Sequence, residues 1–148
     1  MIALEELQDY ITSLLAGTGI NLVHLAIAKK DRLLNYQLVI YRSQGTGIDD
    51  CTRVHRMVVA ALTEKFGHDN FYMEVTSPGI DWTFKSRADY SIFAGRGVLV
   101  TMADGTASGG VLVAADTAQL RLMTAEGELL IPFSQINGCK LDVSREGR

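Results

Sequence analysis

The sequence has no surplus of basic charge. Its 148 residues carry 14 Lys and Arg against 17 Asp and Glu, a formal net charge of −3. The basic side chains divide 7 and 7 between positions 1–80 and 81–148, against 9 and 8 acidic ones, so neither half is a basic arm. A protein that holds nucleic acid chiefly by neutralising phosphates carries lopsided basic charge, and this composition excludes that mode. Long apolar runs are missing too, and a membrane-spanning helix needs about 20 such residues. The opening Met1-Ile2-Ala3-Leu4-Glu5-Glu6 is acidic where a secretory signal is basic, so no signal peptide is expected and a cytoplasmic location is. Cysteine is scarce. Cys51 and Cys139 lie far apart with no C-x-x-C spacing, which reads as two small buried hydrophobes in a reducing compartment.

Catalytic signatures are lacking as well. There is no G-x-S-x-G, H-E-x-x-H, G-x-x-x-x-G-K-[ST] or G-x-G-x-x-G. Ser77 sits in a tight Ser77-Pro78-Gly79 turn, but His24, His55 and His68 stand at no spacing that would supply it a base. Its expected task is to satisfy backbone groups in that turn. Cys51 and His55 share a helix face at four-residue spacing, half of a metal site with no second ligand pair in sight. Neither an enzyme nor a metal or other cofactor is expected.

What is present is the texture of a globular chain, 47% apolar and 21% charged. Residues 2–16 have helical periodicity, with Ala3, Leu7, Ile11, Leu14 and Leu15 in one stripe, and Gly17 and Gly19 follow it. The period then switches to two. Val23, Leu25 and Ile27 alternate with Leu22, His24 and Ala26. After the charged turn Lys29-Lys30-Asp31-Arg32, the residues Leu34, Tyr36, Leu38 and Ile40 alternate with Asn35, Gln37 and Tyr41. An antiparallel hairpin follows from so short a connection. Asp49 and Asp50 then head a helix whose apolar face is Cys51, Val54, Val58, Ala61, Leu62 and Phe66, with Gly67 as its stop. Phe71, Met73 and Val75 mark a third strand. The order is helix, strand, strand, helix, strand, an α+β domain.

Ser77-Pro78-Gly79 interrupts the third strand and is the best boundary in the chain. Domains are expected at residues 1–80 and 81–148, with Ser77, Pro78 and Gly79 as the hinge between them. A short helix with Ser86 as N-cap and Asp89 completing a capping box opens the second domain, anchored by Phe93 and stopped by Gly95. Beyond it lie five short apolar runs, at 98–102, 110–115, 120–124, 129–133 and 139–143. They are separated by Asp104-Gly105, Asp116-Thr117, Glu126-Gly127 and Asn137-Gly138, the pattern of a small all-β barrel. Pro132 marks an edge or bulge in the fourth run.

Three segments carry a family resemblance. Glu74-Val75-Thr76-Ser77-Pro78-Gly79-Ile80-Asp81 resembles the E-V-S-S-P-G-L-D stretch of the bacterial ribosome maturation factor family, RimP. Ile48-Asp49-Asp50-Cys51 is similar to that family's I-D-D-C at the start of the second helix. Asp89-Tyr90-Ser91-Ile92-Phe93-Ala94-Gly95-Arg96 is similar to its D-F-x-x-F-x-G-R. The resemblance implies a KH-like αββαβ domain followed by an SH3-like or Sm-like barrel. It implies no enzymatic activity, but assistance to assembly of the small (30S) ribosomal subunit by binding the free subunit, with small-subunit ribosomal protein twelve as the direct, basic partner. Two departures stand out: Trp82-Thr83-Phe84 replaces Arg-Pro-Leu after the hinge, and Tyr41 replaces an Asp near the end of the second strand.

Asp49, Asp50, Glu74 and Asp81 are the expected partner-binding residues, because carboxylates complement a basic protein and steer its approach. The alternative is a stand-alone RNA-binding module. Against it, the chain has no G-x-x-G of the kind that clamps a nucleic-acid backbone in KH modules. Lys29, Lys30 and Arg32 form a basic hairpin tip that would give at most a weak contact with ribosomal RNA.

Overall fold

In the computed structural model of the protein, residues 3–67 and 71–146 are described, the side chains of Lys30 and Phe66 excepted; His68 lies outside them. The chain divides into two compact units, Met1–Pro78 and Gly79–Arg148.

The first unit runs α1 (Leu4–Leu15), β1 (Asn21–Lys30), β2 (Leu33–Tyr41), α2 (Ile48–Phe66) and β3 (Phe71–Thr76). Leu7, Ile11 and Leu15 of α1 are buried, as the stripe requires, whereas Ala3 is the exposed N-cap. β1 and β2 pair antiparallel through a two-residue turn, with Lys30 opposite Leu33. Both turn residues, Asp31 and Arg32, have positive φ, 51° and 70°. That is the turn whose twist matches the flanking strands. β2 and β3 run parallel, a pairing that demands a long crossover, and α2 supplies it. The sheet order is β1-β2-β3. Leu7, Ile11, Leu25, Leu38, Ile40, Val54, Val58 and Leu62 join one core, so both helices cover the same sheet face. Each such side chain contributes roughly 1.5–3 kcal/mol by leaving water. Gly67 ends α2 in the left-handed region at φ 62°, where a side chain would be strained. Tyr41, expected on the solvent-facing side of β2, is only 7% exposed.

The second unit holds α3 (Asp89–Ile92), β4 (Gly97–Met102), β5 (Ala107–Ala115), β6 (Gln119–Thr124), β7 (Gly127–Pro132) and β8 (Ile136–Leu141). Four strands form a meander and the fifth returns to the first, giving the order β7-β6-β5-β4-β8. This is an all-β, SH3-like arrangement. No ladder joins β7 to β8 among the described residues, so the barrel stays half open. Val98, Val100, Leu112, Leu120, Leu122 and Ile131 fill it, with Phe93 fully buried beside them. Gly110 is required by close approach: a Cβ there would collide with the Met123 carbonyl of the paired strand β6.

Two local expectations are corrected. Asn137-Gly138 is no turn but lies inside β8; the chain reverses earlier, in a 3-10 turn at Phe133–Gln135 directly after Pro132. Ile136 pairs with Met102 and Gly138 with Thr101, so Asn137 is the extra residue of a bulge. The short helix starts at Asp89 rather than after Ser86, because turns from Ser86 and Arg87 precede it. The Asp89 carboxylate is fully buried and accepts the Lys85 backbone N–H at 2.8 Å and the Ser86 hydroxyl at 3.3 Å. A buried polar group needs such partners to offset its loss of water.

The segment before α3 also has a sheet role. Phe84 N–H donates to Cys139 O, and Leu141 N–H donates to Trp82 O, at 2.8 and 2.9 Å. Residues 82–84 therefore cover the outer edge of β8, which would otherwise offer unpaired backbone groups. Among the described residues, no helix is long and apolar enough to cross a membrane.

Candidate functional site

The loop 42–47 carries the chain from β2 into α2, and its geometry is fixed by one carboxylate. Asp50 Oδ1 accepts from Arg42 Nη2 at 2.9 Å and from Nε at 3.2 Å, a two-pronged pair. Its Oδ2 accepts the Gly47 backbone N–H at 3.0 Å, capping the helix. The Gly47 hydrogen bond first, and then Arg42, hold the Asp50 carboxyl below the usual carboxylate range. Arg42 N–H donates in turn to the Thr46 hydroxyl at 2.9 Å. Asp50 is thus committed to the fold. Asp49, one residue earlier and exposed, keeps its carboxylate outward. Arg42 is the residue that sequence reasoning missed, since nothing in a linear pattern couples positions 42 and 50 across a loop.

Glu74 falls elsewhere. Met73 belongs to the core under the helices and Val75 packs against it. Glu74, between them in β3, therefore projects from the opposite sheet face, beside exposed Tyr72. Asp49 and Asp50 stand together at one helix end, and Glu74 is not with them. Asp81 is in the second unit, exposed, within a turn closed by Trp82 N–H donating to Gly79 O at 3.1 Å.

Ser77 and Gly79 are exposed and Pro78 is half-buried. Gly79 is not in the left-handed region, and an added Cβ would meet nothing closer than Asp81 Oδ1 at 3.4 Å. The backbone there does not demand glycine. Among the described residues, no hydrogen bond fixes the Ser77 hydroxyl in its turn. Trp82, in place of the arginine that the resemblance leads one to expect, sits 3.5 Å through Nε1 from Asp89 Oδ2, at the limit of hydrogen bonding, and lies under the Lys85 ammonium.

Cys51 and His55 line a shallow pocket of 260 Å³ with Thr52, Arg56 and Val75. Burial and the neighbouring Asp50 charge push the Cys51 thiol up, against the thiolate a metal would need. Among the described residues, no group of three or more His, Cys, Asp or Glu gathers to hold a metal ion. The hairpin tip presents Lys29 and Arg32 to solvent.

Residues 10–81 match the RimP N-terminal domain family. The "Ribosome maturation factor RimP" of Borrelia turicatae (strain 91E135) is 26% identical over 136 residues, covering 92% of this chain and 94% of that protein. A crystal structure of the pleiotropic translational regulator Hfq is similar at 20% identity, covering 36% of this chain and 92% of that one, with a TM-score of 0.35.

Proposed function

We propose that the chain, whose residues 10–81 match the RimP N-terminal domain family and which is similar to a ribosome maturation factor along nearly its whole length, assists assembly of the small (30S) ribosomal subunit by binding the free subunit. Its direct contact is a basic small-subunit ribosomal protein, number twelve of that subunit, and it acts in the cytoplasm without enzymatic activity. The RimP N-terminal match over residues 10–81 carries this reading. Charge supports it: at −3 overall, the chain suits a basic protein better than a phosphate backbone.

Among the carboxylates, Asp49 and Asp81 make the contact, because both are exposed and no ion pair engages them among the described residues. Asp50 shapes the helix end that presents Asp49. Glu74 adds charge on the other face of its sheet. Ser77, Pro78 and Gly79 serve as the hinge between the units.

The double substitution Asp49→Lys with Asp81→Lys tests these two carboxylates. Calorimetry against purified small-subunit ribosomal protein twelve at low salt is expected to show affinity about tenfold lower or worse, since reversed rim charges repel a basic partner. Unchanged affinity would remove both carboxylates from the proposal.

A further inference from the structure

A groove of 220 Å³ opens on the second unit, built from two segments far apart in sequence: Lys85, Ser86, Arg87 and Tyr90 on one side, Phe133 and Asn137 on the other. Two cations line it, and no carboxylate does. The Arg87 guanidinium carbon lies 3.8 Å from the Phe133 ring centroid. Arg87 Nη1 also donates to the Thr117 carbonyl at 3.2 Å, so the guanidinium is tethered from two directions. Phe133 is itself braced: Tyr90 meets it edge-on at 4.9 Å, and Phe84 meets Tyr90 edge-on at 5.0 Å. The result is a pre-set cation-on-aromatic platform at a surface, with the exposed bulge residue Asn137 at its rim.

We infer that this groove binds single-stranded RNA, one base stacking on the Arg87–Phe133 platform while Lys85 neutralises an adjoining phosphate. Unpaired bases stack on aromatic rings and on guanidinium planes, whereas duplex RNA hides those faces. The Asn137 amide offers both a donor and an acceptor to a base edge. An acidic peptide would use the two cations but has no need of the aromatic floor. Asp89 does not line the groove; it is fully buried and accepts the Lys85 backbone N–H and the Ser86 hydroxyl. The site is distinct from the carboxylates proposed for protein contact, and it stands whether or not the partner protein is the one named above.

Fluorescence anisotropy with the full chain and short labelled oligouridine and oligoadenosine, at low salt, tests the inference. Arg87→Glu and Phe133→Leu should each weaken binding about tenfold, the scale of one lost stacking contact. Arg87→Lys, which keeps the charge and loses the plane, should weaken it too. Arg121→Glu, exposed on β6 and outside the groove, should leave it unchanged. Arg87 is exposed, and circular dichroism checks that both the Arg87 and the Phe133 variants keep the fold. No binding of the wild type, or binding indifferent to Arg87→Glu, overturns the inference. Loss on reversing Lys29 and Arg32 with Arg87→Glu silent moves the RNA contact to the hairpin tip and also overturns it. Equal displacement by polyglutamate and by oligouridine shows a general anion site and does the same.

Discussion

The two units reach stability by different means. The first lays two helices over one face of a three-stranded sheet, and its core residues come from every element. Among its described residues the second has one four-residue α-helix, and it spaces its strands with turns that side chains hold. Asp104 accepts from Thr106 N–H, Asp116 from Ala118 and Gln119 N–H, and Asp142 from Ser144 N–H, all within 3.0 Å. Three of the second unit's carboxylates are thus spent on its own turns. In the first unit Asp50 is spent in the same way, while Asp49 and Glu74 remain exposed. The comparison teaches that an acidic residue marks a docking surface only after the turns and caps have taken theirs.

The sharpest way to separate the units is to empty one core. Phe93 is fully buried and stacks on Phe84 at 5.3 Å. Phe93→Ala should destabilise the second unit by about 3–5 kcal/mol. Hydrogen exchange should then show faster amides in β4–β8 and unchanged protection in β1–β3. Equal loss of protection in both units would show that they unfold as one.

Acid should distinguish the units next. Asp104, Asp116 and Asp142 in the second, and Asp50 in the first, are all lowered from 3.8, by hydrogen bonds that favour the charged form. Each stays ionised in the folded chain at a pH where the unfolded chain is already protonated. Their stabilisation is therefore complete above that ordinary value and is lost as pH falls below it through the folded values. Three such groups against one predict that β4–β8 lose more protection than β1–β3 as the pH falls below about 4. The reverse order would contradict the turn-carboxylate account.

The smallest effect is expected at the seam. Gly79→Ala should change stability by no more than about 0.5 kcal/mol, as at other unconstrained surface positions, because its backbone lies outside the left-handed region. Thermal melting checks this, and a large loss would reveal a backbone constraint at this position.

Much of this was legible in the residues, and what was not has a physical reason. Period-two alternation in Val23, Leu25 and Ile27, and the spacing of Val54, Val58 and Leu62, report burial directly, so the first unit's elements could be read. Asn137-Gly138 carries the signature of a turn, yet a bulge tolerates the same residues, and only strand pairing distinguishes the two. Ser86 and Asp89 have capping-box spacing, but Asp89 turns its carboxylate to the Lys85 N–H and the helix starts later. The acidic positions 49, 50, 74 and 81 were visible as charges. That Arg42 occupies Asp50, and that Glu74 projects from the far side of its sheet, depends on pairing between distant segments. The Arg87–Phe133 platform had no linear signal at all, since 46 positions separate its two members.

The central claim, that the chain is a maturation factor acting on the free small subunit, is tested most directly by sedimentation. The purified protein is mixed with small subunits and with assembled ribosomes and run through separate sucrose gradients. The account predicts that it travels with free small subunits and stays at the top of the gradient with assembled ribosomes. Absence from the small-subunit fraction, or equal presence in both, would contradict it.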